Sequence, residues 1–283
     1  MNRVLEIFDR MLFPNNIYCL VCGAMIDESR PYSLCDQCVK EMHWINEGIQ
    51  ADGGRQRVCA KCGKAFLASY QGELCYDCMH HAHAFEKGFS CLTYGLHERE
   101  LMMDLKYNGK SYIASKMGEV LFDRMQWELA AFADGGVTVD VVVPVPISAD
   151  RMRKRGYNQS ELMAKAFVRC WDKALAGAGR TGNARSAAVV KAPPCNTKAL
   201  VRTKNTQMLR GLDPVERSLA MSGAFAVKPS KTEAIQGKNV LLIDDIYTTG
   251  ATADACSKTL LEAGANKVYL LTLTSGGNRK PEI

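Results

Sequence analysis

Apolar and polar positions follow two different periods along this chain, and the texture changes near residue 85. Phe89 to Tyr94, Thr138 to Val143, Gly223 to Val227, Asn239 to Ile243 and Lys267 to Leu273 are short apolar or β-branched runs, which predict strands. His97 to Lys106, Ser111 to Phe132, Tyr157 to Ala174 and Thr252 to Glu262 carry apolar residues at helical spacing. Ile113, Met117, Val120, Leu121 and Met125 make one such face, and Gly264 closes the last helix. Strands alternating with helices predict an α/β fold built on a doubly wound parallel sheet. A Gly/Ala/Ser/Asn-rich stretch from Gly177 to Asn196 reads as a flexible loop between them. Met1 to Pro14 interleaves Arg3, Glu6, Asp9 and Arg10 with Val4, Leu5, Phe8 and Leu12, a short amphipathic helix rather than a secretion signal. The longest apolar run, Val137 to Ile147, is broken by Asp140, Pro144 and Pro146, well short of the ~18 residues a membrane span needs. A cytoplasmic protein without membrane insertion is expected.

Before residue 85 the signal is cysteine. Eight of the 12 cysteines form four CxxC pairs, Cys19/Cys22, Cys35/Cys38, Cys59/Cys62 and Cys75/Cys78, and the second quartet repeats the first 40 positions on. Both quartets have twelve residues between their pairs, Gly after the second Cys (Gly23, Gly63) and Leu before the third (Leu34, Leu74). A CxxC turn lets two thiolates reach one ion at ~2.3 Å, and a second turn about a dozen residues later completes a four-cysteine zinc site. Disulfides and a redox CxxC are weaker readings, because a cytosolic chain keeps thiols reduced and a dithiol exchanger does not use four pairs in register. Two structural Zn²⁺ ions in two ribbon modules are expected, with sequential ligation favoured over crossed. His80, His81 and His83 follow as a polar tract expected to be exposed. Cys91, Cys170, Cys195 and Cys256 lack partner spacing and read as small buried hydrophobes. The division is then an N-terminal helix over 1–16, a double zinc-ribbon module over 17–84 and an α/β domain over 85–283.

Candidate chemistry lies at the end of one strand. Val240 to Ile243 is followed by Asp244-Asp245, then Ile246-Tyr247, then Thr248-Thr249-Gly250-Ala251-Thr252 opening a helix. Ligands bind at the carboxyl ends of strands in α/β sheets, and a Thr/Gly turn entering a helix offers N–H groups, hydroxyls and a positive dipole end to a phosphate. Two carboxylates beside it suit a vicinal diol, so phosphate plus diol describes a ribose 5-phosphate.

Composition adds one point. At 283 residues, 47% hydrophobic and 23% charged, the chain is ordinary globular material, which excludes a disordered protein. The net charge of +6 is concentrated: seven basic and no acidic residues lie from Arg180 to Arg210, with Arg151, Arg153, Lys154 and Arg155 nearby. Such a face reads as a solvated loop, a lid over a polyanionic substrate, or a groove for single-stranded nucleic acid in which Tyr157 stacks on a base.

These residues resemble the type I phosphoribosyltransferases, whose motif for 5-phosphoribosyl 1-pyrophosphate (PRPP) is a hydrophobic strand, two acids, two variable residues and a T-T-G-x-T-like loop. More of the chain, from about Cys19 to Thr274, resembles the competence protein F (ComF) family: the double CxxC module, Leu105-Lys106-Tyr107, Pro144-Val145-Pro146, Arg155 to Gln159, and Arg202-Thr203 with Gln207. Ala220 departs from the Asn usual before the Gly-Ala-Phe strand. The resemblance implies that Asp244 and Asp245 bind the ribose hydroxyls, that Thr248, Thr249, Gly250, Ala251 and Thr252 cradle the 5-phosphate, and that Pro144, Val145 and Pro146 face the pyrophosphate with Mg²⁺. It implies a PRPP-binding protein linked to DNA uptake in natural competence, with single-stranded DNA and DNA-uptake proteins as partners. An active phosphoribosyltransferase with an unidentified acceptor and a non-catalytic single-stranded DNA-binding factor both remain open. Thr248 stands where purine-salvage relatives carry an acid, which disfavours hypoxanthine or guanine as acceptor. The acceptor pocket is expected around His97 to Tyr112 and the zinc module.

Overall fold

The computed structural model describes residues 17–45, 56–130, 137–181, 191–204, 221 and 223–277. The N-terminal helix expected over 1–16, residues 182–190 and 205–210 of the Arg180 to Arg210 stretch, Gln207 among them, and Ala220 lie outside them.

The cysteine repeat folds as a structural repeat. In each unit the first Cys and the following Gly close one tight turn: Gly23 N–H donates to Cys19 O at 3.0 Å and Gly63 N–H to Cys59 O at 2.9 Å, with φ of +71° and +73° at the two glycines. Tyr18 bridges Met25, and Val58 bridges Ala65, in antiparallel fashion. Each third cysteine caps a short helix, α1 (Asp36–Glu41) and α2 (Tyr76–His80).

The remaining helices are α3 (Leu96–Tyr107), α4 (Ile113–Ala130), α5 (Ala149–Arg155), α6 (Gln159–Thr181) and α7 (Ala251–Glu262). The strands are β1 (Lys87–Thr93), β2 (Val141–Pro144), β3 (Leu200–Arg202), β4 (Phe225–Val227), β5 (Asn239–Tyr247) and β6 (Lys267–Ser275). β1, β6, β5 and β2 form one parallel sheet in that order, with helices on both faces as expected. Alternation at period two sorts each strand between two cores. Val142, Leu241, Ile243, Tyr269 and Leu271 pack with α3, α4 and α6. Val141, Val143, Val240, Leu242, Val268 and Leu270 pack with α7 and the β3–β4 hairpin.

Both cores contain ribbon cysteines. Cys19 and Cys38 of the first unit belong to one face, and Cys59, Cys62 and Cys75 of the second belong to the other. The tandem units therefore straddle the edge strand β1. Ile45 N–H donates to Cys91 O, Thr93 N–H to His43 O and Gly88 N–H to Lys61 O, each at 2.8 Å. These bonds occupy an edge that would otherwise template association.

Four expectations change. β5 runs on through Tyr247, so the acidic pair lies within the strand. Gly223 to Val227 supplies β4, which pairs antiparallel with β3 in a separate hairpin because its partner lies close in space across the β3–β4 connection. The expected loop from Gly177 is helical to Thr181, and its far end pairs along β2: Val142 N–H donates to Pro194 O at 2.9 Å and Asn196 N–H to Val142 O at 2.8 Å. Cys91 and Cys256 are buried, whereas Cys170 and Cys195 are half-buried.

The equivalent glycines of the two units occupy unlike places. A Cβ on Gly63 would lie 2.5 Å from Gly88 O, while one on Gly23 meets nothing within 4 Å. Gly23→Ala should cost only the ~1–2 kcal/mol of a left-handed alanine. Gly63→Ala adds a backbone clash and should cost at least ~2 kcal/mol more. Urea unfolding of the two zinc-loaded variants checks this, and equal losses would contradict the asymmetric docking.

Candidate functional site

The acidic pair lies two residues before the end of the central strand, and three elements converge on it. Neighbouring side chains alternate across a strand, so the two carboxylates leave β5 in different directions. Asp245 is buried: Lys106 Nζ of α3 lies 2.7 Å from its Oδ2, and Gln159 Nε2 donates to the same oxygen at 3.0 Å. Asp244 is half-buried and accepts from Ser160 Oγ at 3.0 Å and from Asp245 N–H at 2.9 Å. Gln159 and Ser160 open α6, where Asn158 Oδ1 accepts from Ser160 N–H. The positive end of that helix thus points at the pair. Asn158 Nδ2 also donates to Val145 O at 3.0 Å, tying the Pro144-Val145-Pro146 segment to the same helix end.

The two acids titrate apart. Burial and then the neighbouring Asp245 charge raise Asp244 to about 7, against its backbone hydrogen bond, Lys106 and Ser160. Burial pushes Asp245 up as well, but Lys106 together with Gln159 outweighs it and holds the carboxyl below its usual range. One charge is fixed by the ammonium, and the second proton site stays open near neutrality.

Asp244, Tyr247, Thr248, Thr249, Gly250, Ala251 and Thr252 line one cavity of about 200 Å³. Gly250, at φ +86°, turns the chain into α7. Asp254 N–H donates to Gly250 O at 2.8 Å, closing the first helical turn, so the N–H groups of the turn itself come before the helix's own hydrogen-bond ladder. The structure thus brings together Asp244 and the Thr248 to Thr252 turn. Asp245 faces α3 and α6 instead, so the carboxylates do not stand side by side toward one diol.

Basic groups rim this end of the sheet. Arg151, Arg153 and Lys154 are exposed on α5, a helix absent from the sequence reading. Arg153 pairs with Asp150. Arg155 donates to Gln159 Oε1 at 2.9 Å and lies 5.1 Å from the centre of the Tyr107 ring. On β3, burial and then Arg151 lower the Arg202 guanidinium, with Asp244 opposing.

Two expectations fail here. Tyr157 does not offer a free stacking face: it is half-buried against the core and its hydroxyl donates to Leu105 O at 2.6 Å. Tyr107, 64% exposed, is the open ring beside the site. His83 is not in an exposed tract but buried, with its Nδ1 2.7 Å from Asp254 Oδ2. Lys106, Gln159 and Ser160 had no signal of their own chemistry in the sequence, since all three lie far along the chain from the acids they hold.

The cysteine quartets fit zinc. Tetrahedral bonds of ~2.3 Å require sulfurs about 3.8 Å apart. Cys22 and Cys35 Sγ are 3.7 Å apart and Cys62 and Cys75 Sγ 3.6 Å, with all four sulfurs of each quartet within 4.8 Å of one another. The groups are sequential rather than crossed. Cys35 N–H points at Cys19 Sγ (3.4 Å) and Cys75 N–H at Cys59 Sγ (3.2 Å), the donors that bound thiolates need.

Residues 8–79 match the double zinc ribbon domain. Competence protein F of Haemophilus influenzae is 24% identical over 246 residues, covering 83% of this chain and 94% of that protein. DNA utilization protein YhgH of Salmonella typhimurium is 24% identical over 246 residues, 85% of this chain and 94% of that one. Competence protein ComFC of Bacillus subtilis is 30% identical over 124 residues, 44% of this chain and 39% of that protein. Among solved structures, the glutamine PRPP amidotransferase of B. subtilis aligns over 60% of this chain and 30% of its own, at 18% identity and a TM-score of 0.33.

The raised Asp244 gives a pH test. Its folded pKa lies above the unfolded value, so protonation favours the folded state and this contribution is lost as pH rises from about 4 through about 7. Asp244→Asn cannot ionise, so it should exceed the ligand-free native protein in stability by about 1–3 kcal/mol near about pH 8, with a smaller gap near about pH 5. Denaturation midpoints across that range measure it, and a gap that widens toward acid would show that the assigned direction is wrong.

Proposed function

We propose that this chain belongs with the competence protein F relatives it resembles, that it binds PRPP with Mg²⁺ at the end of β5, and that DNA is the polymer its activity serves. The observation that carries the reading is the single cavity shared by Asp244 and the Thr248 to Thr252 turn at a helix N-terminus. A dipole-backed turn suits a dianionic phosphate, and an acid within the same cavity suits a sugar hydroxyl. Lys106 gives the site a cation that can serve either Asp245 or an incoming pyrophosphate.

The roles follow from that arrangement. The turn anchors the 5-phosphate through its N–H groups and the Thr hydroxyls. Asp244 accepts from a ribose hydroxyl, while Asp245, fixed between Lys106 and Gln159, holds the Lys106 ammonium at the strand end. Pro144 to Pro146, tied to α6 through Val145 O, lines the side assigned to pyrophosphate. Mg²⁺, when bound with PRPP, supplies charge neutralisation of the pyrophosphate while keeping mostly water and substrate oxygens as ligands. In a transfer reaction the C1–O bond breaks with its electron pair leaving on pyrophosphate. An acceptor lone pair forms the new bond at C1, and the acceptor's proton passes to solvent or base. Lys106 and Arg202 favour the charge that builds on the leaving group.

The DNA part rests on relatives named for competence and DNA utilization and on an exposed basic helix, α5, beside the open Tyr107 ring. A basic surface beside one aromatic platform suits single-stranded nucleic acid.

Calorimetric titration of the zinc-loaded protein with PRPP and Mg²⁺ should give binding that Asp244→Asn with Asp245→Asn weakens about tenfold or more, since Asp244 loses one charge-assisted hydrogen bond to the sugar, of ~1.5–3 kcal/mol. Unchanged affinity in the double variant would place the sugar elsewhere. A pyrophosphate-release screen over amines, bases and single-stranded DNA then identifies any acceptor.

Single-stranded oligonucleotides should bind with little sequence preference, with log K falling by about 0.7 per log salt for each phosphate contact. Reversing Arg151, Arg153 and Lys154 to Glu should abolish this binding and leave most PRPP affinity. Tyr107→Ala should cost ~1–3 kcal/mol, and Tyr157→Ala no stacking energy. Oligonucleotides that fail to bind at low salt would remove the DNA reading and leave the small-molecule one.

A further inference from the structure

The tandem repeat extends further than its cysteines. His43 and His83 each lie five residues beyond the last cysteine of their unit, 40 positions apart like the ligands. Each meets a carboxylate in the first turn of a helix of the α/β domain. His43 meets Glu98 of α3, through its N–H at 2.7 Å and Nδ1 at 3.3 Å. His83 meets Asp254 of α7, through Nδ1 at 2.7 Å, with Ala84 N–H taking the other oxygen at 2.9 Å. The environments differ: the His43 side chain is 60% exposed and that of His83 is 1% exposed.

His83 also holds the other side of the phosphate turn. Its Nε2 is 3.2 Å from Tyr247 Oη, so one ring clips Tyr247, just before the turn, to Asp254, just after it. The backbone of Gly250 rests on that ring: a Cβ there would lie 2.7 Å from His83 Cε1 and 2.8 Å from Tyr247 Oη. With both oxygens of Asp254 satisfied on the ribbon side, its charge is turned away from the N–H groups a phosphate would use.

This clip is braced by the second ribbon. His83 stacks on Phe85 at 5.0 Å, and Phe85 meets Tyr247 edge-on at 6.1 Å. Lys64, beside Gly63, sits 5.3 Å from the centre of the Tyr247 ring and bonds Asp77 at 2.5 Å. The corresponding residues of the first unit are Ala24 and Gln37, which cannot form that ion pair.

We propose that His83 is a positioning residue for the phosphate turn, through which the second ribbon, and not the first, sets how tightly the site holds a sugar 5-phosphate. The inference rests on the phosphate reading of the turn given above. It assigns the buried zinc unit a part in ligand affinity and leaves the outer unit to brace α3.

The test uses the full zinc-loaded chain, with ribose 5-phosphate and pyrophosphate as separate calorimetric probes. His83→Ala should weaken ribose 5-phosphate by about tenfold or more and pyrophosphate by less than about twofold, because only the turn is displaced. His43→Ala should leave ribose 5-phosphate within about twofold. Gly250→Ala combined with His83→Ala should be less than additive on the same probe, since both act on one turn. Zinc content should stay at two per chain. A wild-type protein that binds neither probe would defeat the phosphate reading. The positioning claim is then decided without ligand, by hydrogen exchange. Amides 249 to 253 should exchange faster in His83→Ala and unchanged in His43→Ala. Equal weakening of both probes, additive effects, or unaltered exchange of those amides would overturn the positioning role.

Discussion

Two adjacent carboxylates at the buried end of a strand cannot both stay charged without compensation, and much of this molecule is arranged around that constraint. Asp245 has its compensation in Lys106 and Gln159. Asp244 has only hydroxyl and backbone donors, and it retains affinity for a proton. The asymmetry needs α3 to deliver Lys106 and α6 to present its N-terminus. Neither helix is adjacent in sequence to β5, so the pair depends on tertiary packing for its charge state. A site with one fixed charge and one adjustable charge is suited to a ligand that arrives as a polyanion with its own cation.

The zinc units solve a second problem that the sheet creates. A parallel sheet whose first strand lies at an edge exposes backbone donors and acceptors there, and β1 is covered by two copies of one small unit, on opposite faces. Each copy ends in a histidine that takes hold of an acid in the first turn of a helix. One of those helices carries Lys106 and the other begins at the Thr248 to Thr252 turn. Metal binding and site geometry are thereby connected through short chains of contacts, with no long-range motion required. Duplication supplied two equal units, and docking made them unequal: Gly63 presses on Gly88 while Gly23 faces open space.

The same geometry joins the two chemical themes of the chain. Arg155 touches both Gln159 of the acidic site and the ring of Tyr107, so the basic helix α5 and the acidic site share an element.

What could be read from the chain alone was whatever is encoded locally. The four CxxC pairs, their spacing and the glycines after them determine two zinc units, because each knuckle is a tight turn that closes within six residues. The apolar runs at Val240 to Ile243 and Lys267 to Leu273 determine buried parallel strands, and Asp244-Asp245 followed by Thr248 to Thr252 determines an acidic strand end that turns into a helix. Only the tertiary structure decided which acid is neutralised, because Lys106 and Gln159 reach Asp245 across 139 and 86 positions of chain. It also decided that His83 is buried while His81 is not, that Tyr107 rather than Tyr157 is the open ring, and that the two ribbons occupy opposite faces. Local pattern specifies turns and periodicities. The burial of one charge, and the choice of what stands against it, are set by which distant surfaces the chain brings together.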